Sequence, residues 1–307
     1  MIDLLRTVIL GVVEGITEFL PVSSTGHMII CEKWMNIDLD EPFWKLFTVF
    51  IQIGAIFAVL VYFRGRIMTL LRGRPAEAVA LTPLEASMSV KSEASGTAAH
   101  DAAVPLDYET PPVSRSPYWA IWMIIIATVP VLVVGLLTHK WIEAHLGSWM
   151  VVALSLGLGG IAMIVIELLP LPVTTEHIES MSLKQALGIG IAQILAAIFP
   201  GTSRSAATIM GGLVAGLSRQ AATEFSFFLA IPAMFAACGY DLLKHRKDLM
   251  GHADRLLLLV IGTLVSFLVA WVVIAAFMAY IRRHNFIPFA VYRIILAAVV
   301  ILAFHGT

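Results

Sequence analysis

Residues 14–27 read EGITEFLPVSSTGH and lie in an otherwise apolar segment that runs from about residue 1 to residue 35. Glu14 and Glu18 are four residues apart, so both project from one face of a helix. Pro21 lacks a backbone donor and clashes with the preceding turn, so the helix is expected to break there. Ionisable groups and broken backbone are costly inside a bilayer and mark functional sites. The segment is therefore predicted to form a re-entrant helix-loop-helix hairpin that carries such a site.

A second segment, from about residue 183 to residue 216, repeats the first. Residues 190–203 read GIAQILAAIFPGTS and align with residues 11–24, which read GVVEGITEFLPVSS. This alignment places Gln193 at the position of Glu14 and Pro200 at the position of Pro21. The flanks agree at nearly the same offset, since FTVFIQIG at 47–54 matches FSFFLAIP at 225–232. We interpret the likeness as an internal duplication with a second hairpin broken at Pro200.

The composition indicates a polytopic membrane protein. Hydrophobic residues make up 59% of the 307 residues, charged residues make up 13%, and the mean hydropathy is +0.89. These values are far from the averages of soluble domains. The net charge of −1, without a basic tract interleaved with aromatic residues, gives no sign of a nucleic-acid partner, and none is expected. Cys31 and Cys238 are too few for a disulfide framework or a metal cluster.

The spacing of apolar segments predicts the architecture. Two hairpins and six spans divide into halves with three spans each, and an odd number of spans reverses the insertion of the second half. The predicted fold is an all-α polytopic membrane protein with an inverted repeat of two halves, each a re-entrant hairpin plus three transmembrane helices. Segments long enough to cross the roughly 30 Å hydrocarbon core are expected at 43–63, 118–138, 148–169, 222–240, 257–280 and 289–305.

These segments form a single integral membrane domain over residues 1–307. The first repeat is placed at about 1–140 and the second at about 183–280, with flanking spans at 148–169 and 289–305. Residues 73–117 are rich in Ala, Ser, Pro and Glu and are expected to form a flexible, solvated loop. The arginines before this loop favour its placement in the cytoplasm, which turns the site toward the outer side; the basic residues that oppose this orientation are Lys244, Arg246, Lys247 and Arg255.

The broken helices predict an anion site. Ser23, Ser24 and Thr25 precede a new helical run at Gly26, and Ser203 and Ser205 precede the run that contains Thr208. Such hydroxyls cap helices, and free N–H groups at helix N-termini attract phosphate. Arg204 adds a guanidinium, which can bind phosphate oxygens through two parallel hydrogen bonds. Gln193, at the position of Glu14, is a further candidate for substrate binding.

The acidic pair and the following serine suggest phosphoryl chemistry. Glu14 and Glu18 provide hard oxygen ligands for a divalent cation such as Mg²⁺ or Ca²⁺, and one of them could instead transfer protons. Ser24 and His27 are three residues apart, a spacing that allows a serine nucleophile beside its base. Three nucleophiles stay open at this point: Ser24, His27 and a metal-bound water.

At these residues the chain resembles the bacterial undecaprenyl-diphosphatases linked to bacitracin resistance. The matching motifs are residues 14–27 and PGTSRSAAT at 200–208, with further likeness at ATEFSF, residues 222–227, and FIPFAVYR, residues 286–293. The resemblance implies hydrolysis of undecaprenyl diphosphate to undecaprenyl phosphate and phosphate in the bacterial cytoplasmic membrane, which recycles the lipid carrier of cell-wall synthesis. It also implies a prenyl diphosphate substrate within membrane lipids.

The resemblance assigns roles to individual positions. Ser24 is the favoured nucleophile, while Glu14, Glu18 and His27 serve metal or proton chemistry beside the catalytic Arg204. The candidates for substrate binding are Ser23, Thr25, Gly26, Gln193, Gly201, Thr202, Ser203, Ser205 and Thr208.

A transporter or flippase of the phosphorylated lipid is the alternative, because it would use the same repeats and the same phosphate clamp. It would not need a nucleophile beside a base, so release of phosphate separates the two functions. Phosphatases with a histidine nucleophile are disfavoured, since no His occurs between Arg204 and His245. Whether the chain forms a homo-oligomer stays open.

Overall fold

The computed structural model describes residues 2–38, 41–72, 118–145, 149–249 and 253–304. Helices make up nearly all of these ranges, which contain no β-strand; a single isolated bridge joins Thr175 to Leu217. The loop predicted at 73–117 lies outside the described residues. The helices are α1 Ile2–Thr17, α2 Ser24–Trp34, α3 Pro42–Phe50, α4 Gln52–Tyr62, α5 Arg64–Leu71, α6 Trp119–His145, α7 Trp149–Leu168, α8 Leu183–Ile198, α9 Arg204–Val214, α10 Arg219–Leu249, α11 Ala253–Ile281 and α12 Ile287–Phe304.

Six helical segments within the described ranges are long and apolar enough to cross a membrane. Each corresponds to one of the predicted spans, so the prediction of an all-helical, multi-pass membrane protein is confirmed. Large apolar side chains such as Leu136, Leu158 and Leu302 are exposed on these helices, as expected for surfaces that face lipid. The segments are Pro42–Tyr62, Trp119–Thr138, Trp149–Leu168, Arg219–Lys244, Asp254–Ile281 and Ile287–Phe304.

The helix breaks fall where the prolines predict them. Helix α1 ends before Pro21 and α2 begins after it, and α8 and α9 flank Pro200 in the same way. Both pairs consist of a 16-residue helix followed by an 11-residue helix. At about 1.5 Å per residue, none of these four helices could cross a hydrocarbon core of roughly 30 Å alone.

The short helices are held by close packing against long ones. Helix α1 packs along α11, α8 packs along α6, and α7 packs along α12. Glycines allow the backbones to approach, as is common between membrane helices. A Cβ at Gly15 would lie 2.7 Å from the carbonyl oxygen of Ser266, and one at Gly54 would collide with the carbonyl oxygen of Thr263. Helices α1 and α4 are thus fixed against α11.

Gly54→Ala is expected to destabilise the protein, because the new methyl group would meet backbone atoms of α11 rather than a movable side chain. Overpacking of this kind typically costs about 1–3 kcal/mol. The measurement is thermal denaturation in detergent. Gly135→Ala in α6 is the matched control, since no atom lies within 4 Å of the position that its Cβ would take. Equal denaturation midpoints for the two variants would contradict the close approach of α4 and α11.

An ion-pair network joins segments that are distant in the sequence. Arg66, at the start of α5, donates from Nε to Glu224 at 2.6 Å and from Nη2 to Glu179 at 2.9 Å. Burial alone would lower the pKa of Arg66, but the two carboxylates outweigh it and raise that pKa. The network holds α5, the turn Ile178–Ser180 and α10 together at one end of the helical bundle.

Candidate active site

The two proline-containing loops meet at a cavity of about 180 Å³. A direct hydrogen bond joins the loops, since the Ser205 hydroxyl donates to the carbonyl oxygen of Leu20 at 2.8 Å. Most of the wall consists of predicted site residues, and Gln52 of α4 contributes a polar group that the sequence analysis did not select. The predicted residues in the wall are Glu18, Ser23, Ser24, Thr25, Gly201, Ser203 and Arg204.

Serine side chains cap the second helix of each pair. Ser23 accepts a hydrogen bond from the N–H of Gly26 at 3.3 Å, and Ser203 accepts one from the N–H of Ala206 at 3.2 Å. Both serines have positive φ, 72° and 69°. This region is costly for residues other than glycine, and such strain gathers at functional sites. Both loops therefore hold a helix N-terminus toward the cavity at a cost in backbone energy.

The caps correct the register of the sequence alignment. That alignment pairs Ser23 with Thr202, whereas the matching caps and dihedral angles pair Ser23 with Ser203. Two residues, Gly201 and Thr202, separate Pro200 from its cap, whereas one residue separates Pro21 from Ser23. Gly201 has a φ of 91° there, a conformation that glycine adopts readily.

Glu18 links the chemistry of the two loops. The Ser24 hydroxyl donates to Glu18 Oε2 at 2.6 Å. The other carboxylate oxygen accepts from Nη2 of Arg204 at 3.4 Å. A carboxylate this close to a serine hydroxyl can accept its proton, while the guanidinium lies on the opposite side of the same carboxylate. The arrangement brings a hydroxyl, a carboxylate and a guanidinium together at one cavity.

His27 has other partners than the serine expected from its spacing. Its Nδ1 donates to the carbonyl oxygen of Ser23 at 2.7 Å, and its Nε2 lies 2.6 Å from the Tyr292 hydroxyl. With Nδ1 as the donor, a neutral imidazole accepts the tyrosine proton at Nε2. The two rings are stacked at 5.5 Å. The expected pairing of Ser24 with His27 is therefore not formed, because the serine hydroxyl donates its hydrogen bond to the Glu18 carboxylate.

Only some of the hydrogen-bond donors of Arg204 are engaged by described residues. Its Nη1 donates to the carbonyl oxygen of Ser226 at 3.2 Å, and its guanidinium lies 5.6 Å from the Phe19 ring. Its Nε atom is buried, and no described residue accepts a hydrogen bond from it. A buried donor without a partner is costly, so a ligand that accepted its hydrogen bond would be favoured. The guanidinium can therefore bind the oxygens of an anion in the cavity.

Other predicted residues lie outside the cavity wall. Glu14 and Gln193 occupy equivalent positions in the two short-helix pairs and are only 1% and 2% exposed. Each has an Oε1 atom with no hydrogen-bond partner in the described ranges. The Thr208 hydroxyl is buried against the Ser226 hydroxyl at 2.6 Å, which makes it a support for α9 rather than a surface of the cavity. The predicted residues outside the wall are Glu14, Gly26, His27, Gln193, Thr202, Ser205 and Thr208.

Three residues near the loops were missed by the sequence analysis, although two of them carried a signal. Gln52 is a polar residue within a predicted span, and Arg293 is a cation within another. Polar groups in apolar spans mark functional positions by default. Tyr292 had no such signal, because a tyrosine is common near the ends of membrane helices.

Comparison with known proteins identifies the family. The family model described as "Bacitracin resistance protein BacA" matches residues 7–299. An undecaprenyl-diphosphatase of Koribacter versatilis (strain Ellin345) is 40% identical over 313 residues, covering 97% of this chain and 96% of the relative. An undecaprenyl-diphosphatase of Nitrosomonas europaea is 41% identical over 303 residues, with 99% and 95% covered. The same name belongs to a Streptococcus thermophilus protein that is 38% identical over 312 residues, with 100% and 94% covered. The chain belongs to the bacitracin resistance protein BacA family.

Proposed function

We propose that this protein hydrolyses undecaprenyl diphosphate to undecaprenyl phosphate and inorganic phosphate. The observation that carries the proposal is the hydrogen bond of 2.6 Å from the Ser24 hydroxyl to the Glu18 carboxylate. Arg204 pairs with the same carboxylate, and the N-termini of α2 and α9 lie at the two loops. The name shared by nearly full-length relatives gives the substrate. The reaction recycles the lipid carrier for peptidoglycan and other cell-wall polymers and confers resistance to bacitracin.

The proposed first step is attack by Ser24 Oγ on the terminal phosphorus. Glu18 accepts the serine proton, the bond from that phosphorus to the bridging oxygen breaks, and undecaprenyl phosphate leaves with the bond electrons. Water then attacks the phosphoserine, the bond from phosphorus to Oγ breaks, Glu18 returns its proton to Oγ, and phosphate leaves. Arg204 and the N–H groups at the starts of α2 and α9 stabilise the charge on the transferred group. His27, bound to the main chain at Ser23, keeps the start of α2 in place.

A divalent cation, Mg²⁺ or Ca²⁺, is proposed as the cofactor. Among the described residues, the buried Oε1 atom of Glu14 has no hydrogen-bond partner, which leaves it available as a metal ligand. No group of three or more His, Cys, Asp or Glu side chains suited to a metal occurs in the part of the chain that the structure describes. Glu14 and Glu18 would therefore share the ion with substrate phosphate, as Mg²⁺ sites commonly do. A bound ion would neutralise charge on the phosphoryl group.

We also propose that the helices form an inverted repeat with two re-entrant hairpins, α1–α2 and α8–α9. The reciprocal packing of α1 on α11 and of α8 on α6 supports this, as do the equal helix lengths and the paired serine caps. One span, Pro42–Tyr62, separates the α1–α2 hairpin from α5, so the two lie on opposite sides. If the arginines near 64–74 are cytoplasmic, the hairpin with Ser24 opens to the outer face of the bacterial cytoplasmic membrane.

Release of phosphate from a prenyl diphosphate by detergent-purified protein tests both the activity and the cofactor. We expect release that a chelator abolishes and that Mg²⁺ or Ca²⁺ restores, because the ion would offset the charge of the diphosphate. Glu14→Gln should raise the cation concentration needed for half-maximal rate, since it removes one charged ligand.

The controls separate the alternatives. Full activity in the chelator, with no response of wild type or Glu14→Gln to added cation, would contradict the metal proposal alone. Binding of the lipid without any release of phosphate would contradict the phosphatase and favour a transporter or flippase. Glu176→Gln, an acidic residue beside a separate cavity, should respond to cation as the wild type does.

A further inference from the structure

Arg293 is a cation buried within a membrane-spanning helix. It lies in α12, and its side chain is 0% exposed. Removing a charge from water is expensive unless it is paired and fully hydrogen-bonded. Among the described residues, however, the hydrogen-bond partners of Arg293 are four main-chain carbonyl oxygens and no carboxylate. A residue this costly needs a role that the mechanism above does not supply.

The four carbonyls belong to three separate segments. Nη1 donates to Pro21 at 3.4 Å, in the loop that leads to Ser24. Nη2 donates to Gly201 at 3.2 Å, in the loop that leads to Arg204. The two remaining bonds go to α7, from Nη2 to Ser155 at 3.1 Å and from Nε to Leu156 at 3.4 Å. One planar guanidinium therefore connects both loops to the same long helix.

Helix α7 is shaped to admit this side chain. A Cβ at Gly159 would collide with Nη2 of Arg293, and a Cβ at Gly160 would lie 2.8 Å from the carbonyl oxygen of Ala290. The two glycines thus let α12 approach α7 and leave room for the guanidinium. The neighbouring Tyr292 contacts His27 of α2, so one turn of α12 contacts both the first loop and the helix that follows it.

We propose that Arg293 is a positioning residue of the active site, which holds the two loops at the separation that lets Ser24 and Arg204 act on one phosphoryl group. This inference rests on the proposed phosphatase activity. The five donors of an arginine are fixed in a plane and can bind several carbonyls at once, whereas lysine has one point charge. A displacement of about 1 Å at a reacting centre can cost about a hundredfold in rate.

The test compares Arg293→Lys and Arg293→Met with Arg283→Met, which removes an exposed arginine at the end of α11. We expect kcat for phosphate release to fall about a hundredfold in Arg293→Met and about tenfold in Arg293→Lys, with KM changed less than about threefold. Arg283→Met should match the wild type. A purely structural arginine would lower the yield of folded protein and leave kcat of the folded fraction unchanged, which would overturn the proposal.

A second measurement does not depend on activity. Spin labels at Thr25→Cys and Phe199→Cys, on a background with Cys31 and Cys238 replaced by serine, report the distance between the loops. We expect a narrow distribution with Arg293 or Arg283→Met, a broader one with Arg293→Lys and the broadest with Arg293→Met. An unchanged distribution in Arg293→Met would overturn the positioning role. If Arg293→Met broadens the distribution but the wild-type protein releases no phosphate, the positioning role stands and the proposed phosphatase activity is contradicted.

Discussion

Ser24→Ala is expected to lower phosphate release from a prenyl diphosphate by about 10³- to 10⁶-fold, the range seen when a nucleophile is removed. The serine hydroxyl is 2.6 Å from a carboxylate oxygen of Glu18, so its loss removes both the nucleophile and the proton that Glu18 would accept. Initial rates with purified enzyme, at saturating substrate, measure the effect. Acid quenching with substrate labelled at the terminal phosphate should trap labelled protein in the wild type alone.

The serine control lies far from the loops. Ser180 lies in the short turn before α8, where its hydroxyl donates a hydrogen bond to the carbonyl oxygen of His177. Ser180→Ala should keep the wild-type rate. A Ser24→Ala variant that is as fast as this control would assign the attack to His27 or to a metal-bound water. Attack by a metal-bound water should leave both enzymes unlabelled, whereas attack by His27 should form a phosphohistidine in both.

Arg204→Ala is expected to lower the rate by about 10²- to 10³-fold, as removal of one donor to a developing negative charge does in other enzymes. Arg204→Lys should recover only part of the loss, because lysine cannot form two parallel bonds to phosphate. The control is Arg72→Ala, at the exposed end of α5. Equal rates for Arg204→Ala and Arg72→Ala would contradict a role for Arg204 at the phosphate.

Measurements of stability distinguish the role of Arg204 in the ion pair with Glu18 from its role at the phosphate. Arg204 also pairs with Glu18, and both side chains are largely buried. Its removal leaves an unpaired carboxylate, which should destabilise the protein by an amount on the order of 3 kcal/mol. The double variant Arg204→Ala with Glu18→Gln should recover much of that stability in thermal denaturation but no activity. Recovery of activity together with stability would show that the arginine acts only through the pair.

The sequence predicted the spans and helix breaks well because both are local properties. A run of about 20 apolar residues is enough to identify a span, and a proline acts on the turn that contains it. The breaks near Pro21 and Pro200 and all six spans follow from such short windows. The likeness of residues 11–24 to residues 190–203 also brought both loops into one candidate site, and the cavity that they share supports this.

The partners of individual side chains could not be predicted in the same way. Spacing along α2 suggested His27 as the base for Ser24, but Glu18 approaches the hydroxyl from the end of the preceding helix. The actual partner of His27 is Tyr292, which follows it by 265 positions. Helical periodicity states which residues share a face, and it does not state what lies opposite that face.

The amino-acid sequence alone determined the membrane class, the number of spans, the two broken segments and the residue types available for phosphate chemistry. Hydropathy, the steric effect of proline and repeated motifs are properties of short segments, so they can be recognised without knowledge of the tertiary structure. Only the tertiary structure decided that Glu18 lies between Ser24 and Arg204 and that Arg293 ties both loops to α7. Those contacts depend on how distant helices pack. A buried polar group must be hydrogen-bonded, and its partner can come from any segment that packs beside it.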